Sequence, residues 1–194
     1  WGILGSNYCK NLLYDHCTLS RFDAHMGVAN ATIRNSTLGH QGINAIGSGT
    51  FIVENSTIRG RNFINLRSDY GSTWQGEFLI RNCVFLPSGG KTTNVSLIGG
   101  YYSGQHDFGY TCYMPERITI ENLQIDDSNH PADYRGPAIF ADFNPDNTGE
   151  SFVEKFPYVI TREVILRNVT VCSGRTLRIS DNPFMFRNVK INSD

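Results

Sequence analysis

The sequence is short of charge imbalance, of paired cysteines and of long apolar runs, and each shortage removes a class of function. Among 194 residues, 17 basic and 18 acidic side chains give a formal net charge of -1. No long positive field is available to track phosphates, so nucleic acid is not expected as a partner. No apolar run approaches the roughly 20 residues that a membrane-spanning helix requires, so no membrane partner is expected. Trp1-Gly2-Ile3-Leu4 lacks the basic start and apolar stretch of a signal peptide. Cys9, Cys17, Cys83, Cys112 and Cys172 form an odd, widely spaced set without a C-x-x-C pair. That spacing excludes a zinc knuckle and a disulfide scaffold, and reads as buried, reduced, small apolar residues.

What is present is a repeat: apolar, any, apolar, charged, Asn, any, any, apolar. Phe51-Ile52-Val53-Glu54-Asn55-Ser56-Thr57-Ile58 shows it fully. Segments 12–19, 31–38, 78–85, 118–125, 164–171 and 184–191 align beneath it. The fifth position holds His16, Asn35, Asn55, Asn82, Asn122, Asn168 and Asn188, at intervals of 19, 20, 27, 40, 46 and 20 residues.

Alternation before the Asn implies a strand with one buried face, and its shifted phase afterwards implies a bend. Asn tolerates the left-handed backbone conformation that a tight bend demands, and its amide can bond to the same position one repeat away. The preceding position reads Asp15, Arg34, Glu54, Arg81, Glu121, Arg167, Arg187, so neighbouring repeats mostly place opposite charges side by side. The sequons at Asn35, Asn55 and Asn168 are expected to be occupied by these bends rather than by glycans.

A third strand falls about eight residues after each Asn, at 42–46, 62–66, 95–98, 138–140 and 176–179. The expected fold is therefore all-β: one single-stranded, right-handed parallel β-helix over residues 1–194, a solenoid of about seven coils with three strands per coil and an Asn ladder. Both ends fall inside repeats with no covering segment, so the chain is expected to be part of a longer helix. Extra residues at 68–76, 86–93, 100–117, 126–136 and 143–162 are expected as inserted loops flanking the third-strand face.

That face and its approaches carry Asp23, His25, His40, Gln41, Asn44, Asn65, Arg67 and Asp69. The loops add Tyr70, Trp74, Tyr101, Tyr102, His106, Asp107, Tyr110 and Tyr113. Aromatic rings beside carboxylates and amides suit the apolar faces and hydroxyls of a sugar, so a polysaccharide is the expected partner. Asp23, His25, Arg67 and Asp69 are the candidate catalytic groups, with Asp23 and Asp69 as an acid/base pair and His25 and Arg67 in support. His40, Asn44, Asn65, Tyr70, Trp74, Tyr101, Tyr102, His106, Asp107 and Tyr110 are the candidate substrate-binding residues. Each has a plainer reading: a solvated strand edge for Asp23 and His25, a loop-closing ion pair for Arg67 and Asp69, and packed loop aromatics for the segment around His106-Asp107. Neither Asp126, Asp127 and Asp133 nor Asp146 and Glu150 completes a calcium loop. No metal or cofactor is expected.

With repeats such as Ile33-Arg34-Asn35-Ser36-Thr37-Leu38 and Val53-Glu54-Asn55-Ser56-Thr57-Ile58, the chain resembles the pectate-lyase-type β-helix superfamily. Within it, the likeness is to bacteriophage tailspike or appendage proteins and related β-helix proteins of gut bacteria. The resemblance implies an extracellular or virion-associated protein that binds polysaccharide, cleavage by hydrolysis or β-elimination, and a homotrimer in the full-length protein. It does not carry a mechanism across. Pectate lyases pair a catalytic Arg with calcium-binding acids, and only Arg67 corresponds. Gly39-His40-Gln41-Gly42 approximates the Gly-His-Gly of polygalacturonases, but Asp126-Asp127 follows a bend instead of lying on the groove strand. The rival is a non-catalytic structural or adhesive spike solenoid contacting partner proteins or neighbouring subunits.

Overall fold

A computed structural model describes residues 3–39, 42–88, 94–101, 109–143 and 158–194. The strands are β1 (Ile3–Asn7), β2 (Lys10–Asp15), β3 (Thr18–Leu19), β4 (Arg21–Arg34), β5 (Thr37–Leu38), β6 (Ile43–Glu54), β7 (Thr57–Gly60) and β8 (Asn62–Leu66). They continue as β9 (Trp74–Pro87), β10 (Ser96–Gly99), β11 (Arg117–Ile125), β12 (Ala138–Phe140), β13 (Glu163–Val171), β14 (Arg178–Ser180) and β15 (Lys190–Ser193). A 3-10 turn at Ser68–Tyr70 and a short helix, α1 (Pro183–Phe186), complete the described elements. The all-β expectation holds, and the strands form one large sheet whose pairings are all parallel among the described residues.

Three columns of residues run across that sheet. In the first, Ala31, Phe51, Phe78, Ile118 and Val164 stand in register. In the second, Leu19, Leu38, Ile58, Phe85, Ile125 and Val171 do so. In the third, Phe22, Ile43, Ile64, Ile98 and Phe140 do so. Their side chains form one core, in which Phe51 meets Phe22 at 5.6 Å and Phe78 at 5.7 Å between ring centroids.

The bend between the first two columns is made as the repeat requires. His16, Asn35, Asn55, Asn82, Asn122 and Asn168 all take φ between 49° and 55°. Their amides form a ladder: Asn55 donates to Asn35, Asn82 to Asn55, Asn122 to Asn82 and Asn168 to Asn122, at 2.8–3.3 Å. Beside it, Arg34 meets Asp15 at 2.8 Å, Arg81 meets Glu54 at 2.5 Å, and Arg167 meets Glu121. A second corner lies just before the first column, where Asn11 and Asn30 are left-handed and bonded to each other. Glycine takes over that corner. A Cβ on Gly49 would sit 2.2 Å from the Asn30 amide oxygen, and one on Gly76 would sit 2.1 Å from the Gly49 carbonyl.

Several expectations are corrected. Residues 184–191 are not a seventh copy of the repeat. Ile191 pairs with Val164, seven residues from the proposed alignment, because α1 occupies the space and packs Phe186 flat on Phe140 at 4.2 Å. Asn188 accordingly stays out of the ladder and is not left-handed. The 68–76, 86–93 and 100–117 insertions are shorter than expected, since Trp74–Gly76 and Leu86–Pro87 belong to β9 and Arg117 opens β11. The cysteines are free, but only Cys83 and Cys112 are buried; Cys9 and Cys17 are half-buried, and Cys172 is exposed just beyond the end of β13.

Candidate functional site

On the third-column strands, alternation sends Phe22, Ala24, Ile43, Ala45, Ile64 and Leu66 into the core, leaving Arg21, Asp23, Asn44, Asn65 and Arg67 on the outer face. Asn65 donates to Asn44 at 2.8 Å. Beside them Asn62 donates to Ser96 at 2.7 Å. Gly99 makes that possible: a Cβ there would fall 2.2 Å from the Asn62 side chain. The result is a polar floor of amides and hydroxyls bonded to one another across repeats.

Two adjoining cavities lie on this floor. One, of about 310 Å³, is bounded by Arg61, Asn62, Asn65, Asn94, Val95, Ser96, Gly100, Tyr101, Phe140, Ala141, Asp142 and Asp181. The other, of about 300 Å³, is bounded by Arg21, Ile43, Asn44, Arg61, Asn62, Asn65 and Ser88. They share Arg61, Asn62 and Asn65, so they form one groove running across the strands. At its far end Asp181 is held by Arg178 at 2.5 Å and Arg135 at 2.6 Å. Tyr101 is 54% exposed on the wall, its backbone tied in both directions to the buried hydroxyl of Ser72.

Next to the groove lies a charge cluster. Arg67 reaches Asp23 at 2.9 Å with one arm and Asp69 at 2.5 Å with the other, while Arg21 reaches Asp23 at 2.9 Å. The Asp23 side chain is 6% exposed, covered by its two guanidiniums, whereas that of Asp69 is 53% exposed. The Arg67 hydrogen bond holds the Asp69 carboxyl below the usual carboxylate range, and Asp69 in turn raises Arg67. His25 does not bond to Asp23; its Nδ1 meets the Asn7 side chain at 2.8 Å and its ring abuts Tyr70 edge-on at 5.9 Å. Tyr110, half-exposed, donates to the Tyr70 carbonyl at 3.1 Å.

The chain is similar over part of its length to a phage depolymerase. The relative is a capsule KL64-specific depolymerase of Klebsiella phage P510, 30% identical over 96 residues. The match covers 42% of this chain and 9% of the phage protein, so the chain spans under a tenth of its relative. No family model and no solved structure matches.

Asn44, Asn65 and Tyr101 line the groove, and Asp23, His25, Arg67, Asp69, Tyr70 and Tyr110 gather beside it. Trp74 is a correction: it is fully buried, packed on Phe51 at 5.0 Å and Phe78 at 5.8 Å, with its indole N–H given to the Gly49 carbonyl at 2.9 Å. It opens β9 opposite Gly47, whose missing side chain leaves room for the ring, and cannot stack on a sugar. Tyr113 forms an isolated parallel bridge with Val159, and its carbonyl accepts from the Trp74 amide at 2.7 Å. His40, Gln41, Tyr102, His106, Asp107, Asp146 and Glu150 lie outside the described residues. Asp127, considered for calcium, is buried and accepts from the Ser173 amide at 2.8 Å and hydroxyl at 2.7 Å. Sequence reasoning missed Arg61, Asn62, Asn94, Ser96, Asp142 and Asp181. The third-strand spacing signals Asn62 and Ser96, but nothing local marks the others. Among the described residues, no helix is long and apolar enough to cross a membrane.

Proposed function

We propose that the chain is a right-handed parallel β-helix of about seven coils, part of a longer tailspike-type protein, and that it binds a polysaccharide in the groove across its third strands. The observation that carries this reading is the pair of contiguous cavities floored by Asn44, Asn62, Asn65 and Ser96 and walled by Tyr101. Amides and hydroxyls match sugar hydroxyls, an exposed ring matches a sugar's C–H face, and an elongated groove matches a polymer. The partial likeness to a capsule-specific depolymerase supports the same reading and a virion-associated, extracellular setting.

Cleavage belongs to the proposal as a second step, at the cluster beside the groove. There His25 is the proton-exchanging group, the ionised Asp69 steadies it, and Asp23 and Arg67 act as positioning residues. Asp69, held in its charged form by Arg67, fits the base of a carboxyl pair and not its acid. Subunit contact is proposed for the outward column Leu13, Thr32, Ile52, Leu79, Thr119 and Ile165, in which Leu13 is 53% exposed. Light scattering that gave a monomer for the longer protein would remove the implied homotrimer.

The experiment for the main reading is a glycan panel including Klebsiella capsular polysaccharides, scored for binding and for new reducing or unsaturated ends. Binding that Tyr101→Ala weakens supports the groove. Absence of both binding and product ends rejects it. Product ends that His25→Ala abolishes while binding persists support cleavage; binding without product ends leaves the adhesive spike as the function.

A further inference from the structure

Most guanidiniums among the described residues are ion-paired. Arg34 meets Asp15, Arg167 meets Glu121, and at the groove itself Arg21 and Arg67 meet Asp23 while Arg178 meets Asp181. Arg61 is different. It has no ion-pair partner among the described residues, it is exposed, and it borders both cavities at their junction beside Asn62 and Asn65. Its place is that of a cation held ready for something entering the groove, since no carboxylate of the groove is spent on it. Asp142, exposed at the other end of the larger cavity, is its counterpart: a carboxylate with no hydrogen bond or ion pair among the described residues, unlike its doubly held neighbour Asp181. The groove therefore has a positive pole at the junction, a negative pole at one end, and neutral amides between.

We propose that Arg61 reads an oxyanion on the glycan, a uronate carboxylate or a sugar phosphate, while the subsite at Asp142 takes a neutral sugar. A guanidinium bonds such a group with two parallel N–H donors, a geometry that lysine cannot reproduce. A second anion placed against Asp142 would meet a like charge in a partly desolvated groove. The ligand class that follows is a heteropolymer in which acidic residues are separated by neutral ones, not a polyacid and not a neutral glucan. This inference rests on the groove being a glycan site.

The test uses the full chain with purified Klebsiella capsular polysaccharides of measured uronate content, with polygalacturonate as the uniformly charged control and dextran as the neutral one. For the polymer that binds, Arg61→Gln should weaken binding about ten- to a hundredfold with an unchanged melting temperature, as loss of a charge-assisted pair would. Carbodiimide–borohydride reduction of the polymer's carboxyls should weaken wild-type binding as much and abolish the difference between wild type and variant. A difference that survives reduction assigns the oxyanion to phosphate. Asp142→Asn should raise affinity for polygalacturonate. A neutral polymer as the bound ligand, or an Arg61→Gln variant that binds like wild type, overturns the inference and leaves the glycan groove standing. Binding to no glycan at all defeats the groove reading itself.

Discussion

Replacing Asp23 by Asn tests whether the cluster beside the groove is a clamp. The Asp23 carboxylate is 6% exposed and faces Arg21 and Arg67, whose side chains are 30% and 19% exposed. Removing one partner of a fully buried pair costs about 3–5 kcal/mol. Here both cations retain access to water and Arg67 keeps Asp69, so the cost falls to about 2 kcal/mol. Asp69→Asn removes a largely solvated partner and should cost under about 1 kcal/mol. In the double variant two guanidiniums face each other with no carboxylate, so the combined cost should exceed the sum by about 0.5–1 kcal/mol. Urea unfolding of the four proteins, read by circular dichroism, gives all three numbers. Asp23→Asn within about 0.5 kcal/mol of wild type, or Asp69→Asn costlier than Asp23→Asn, would refute the clamp and return Asp23 to the acid/base pair with Asp69.

Trp74→Ala should destabilise the fold by about 3–5 kcal/mol in the same urea assay, for a cavity beside Phe51 and Phe78; a change under about 1 kcal/mol would put the ring at the surface. Asn55→Ala places a β-carbon in a left-handed position and interrupts the ladder, for about 2–3 kcal/mol, whereas Asn55→Gly should recover about 1 kcal/mol of that by accepting the backbone alone. Arg34 and Asn35 hold the Asp15 carboxyl down at about 2, against an ordinary 3.8. Its contribution is therefore complete above pH 3.8 and lost as pH falls towards 2, which Asp15→Asn should reveal as a flatter acid limb in thermal melts. Burial pushes the Cys83 and Cys112 thiols up to about 11, so at pH 8 a thiol reagent should label exposed Cys172 first and those two only on unfolding.

The sequence by itself determined everything that repeats locally. A period of two with a phase change at Asn states which side chains enter the core and where the backbone turns left-handed, and the charge before each Asn states its neighbour across the ladder; Arg34 finds Asp15 and Arg81 finds Glu54 as the alternation requires. Asn44 and Asn65 were legible for the same reason, being outward positions of consecutive third strands. What lay beyond the period was decided by tertiary structure. Trp74 reads as a loop aromatic until its pairing with Gly47 draws it into the core, and residues 184–191 read as a repeat until α1 claims the space over Phe140. Arg61, Asp142 and Asp181 come from different repeats separated by insertions of unequal length, so no spacing along the chain links them. Alternation is a property of neighbouring residues, but a groove is made where distant strands fall into register, and that register is fixed by packing of the whole stack.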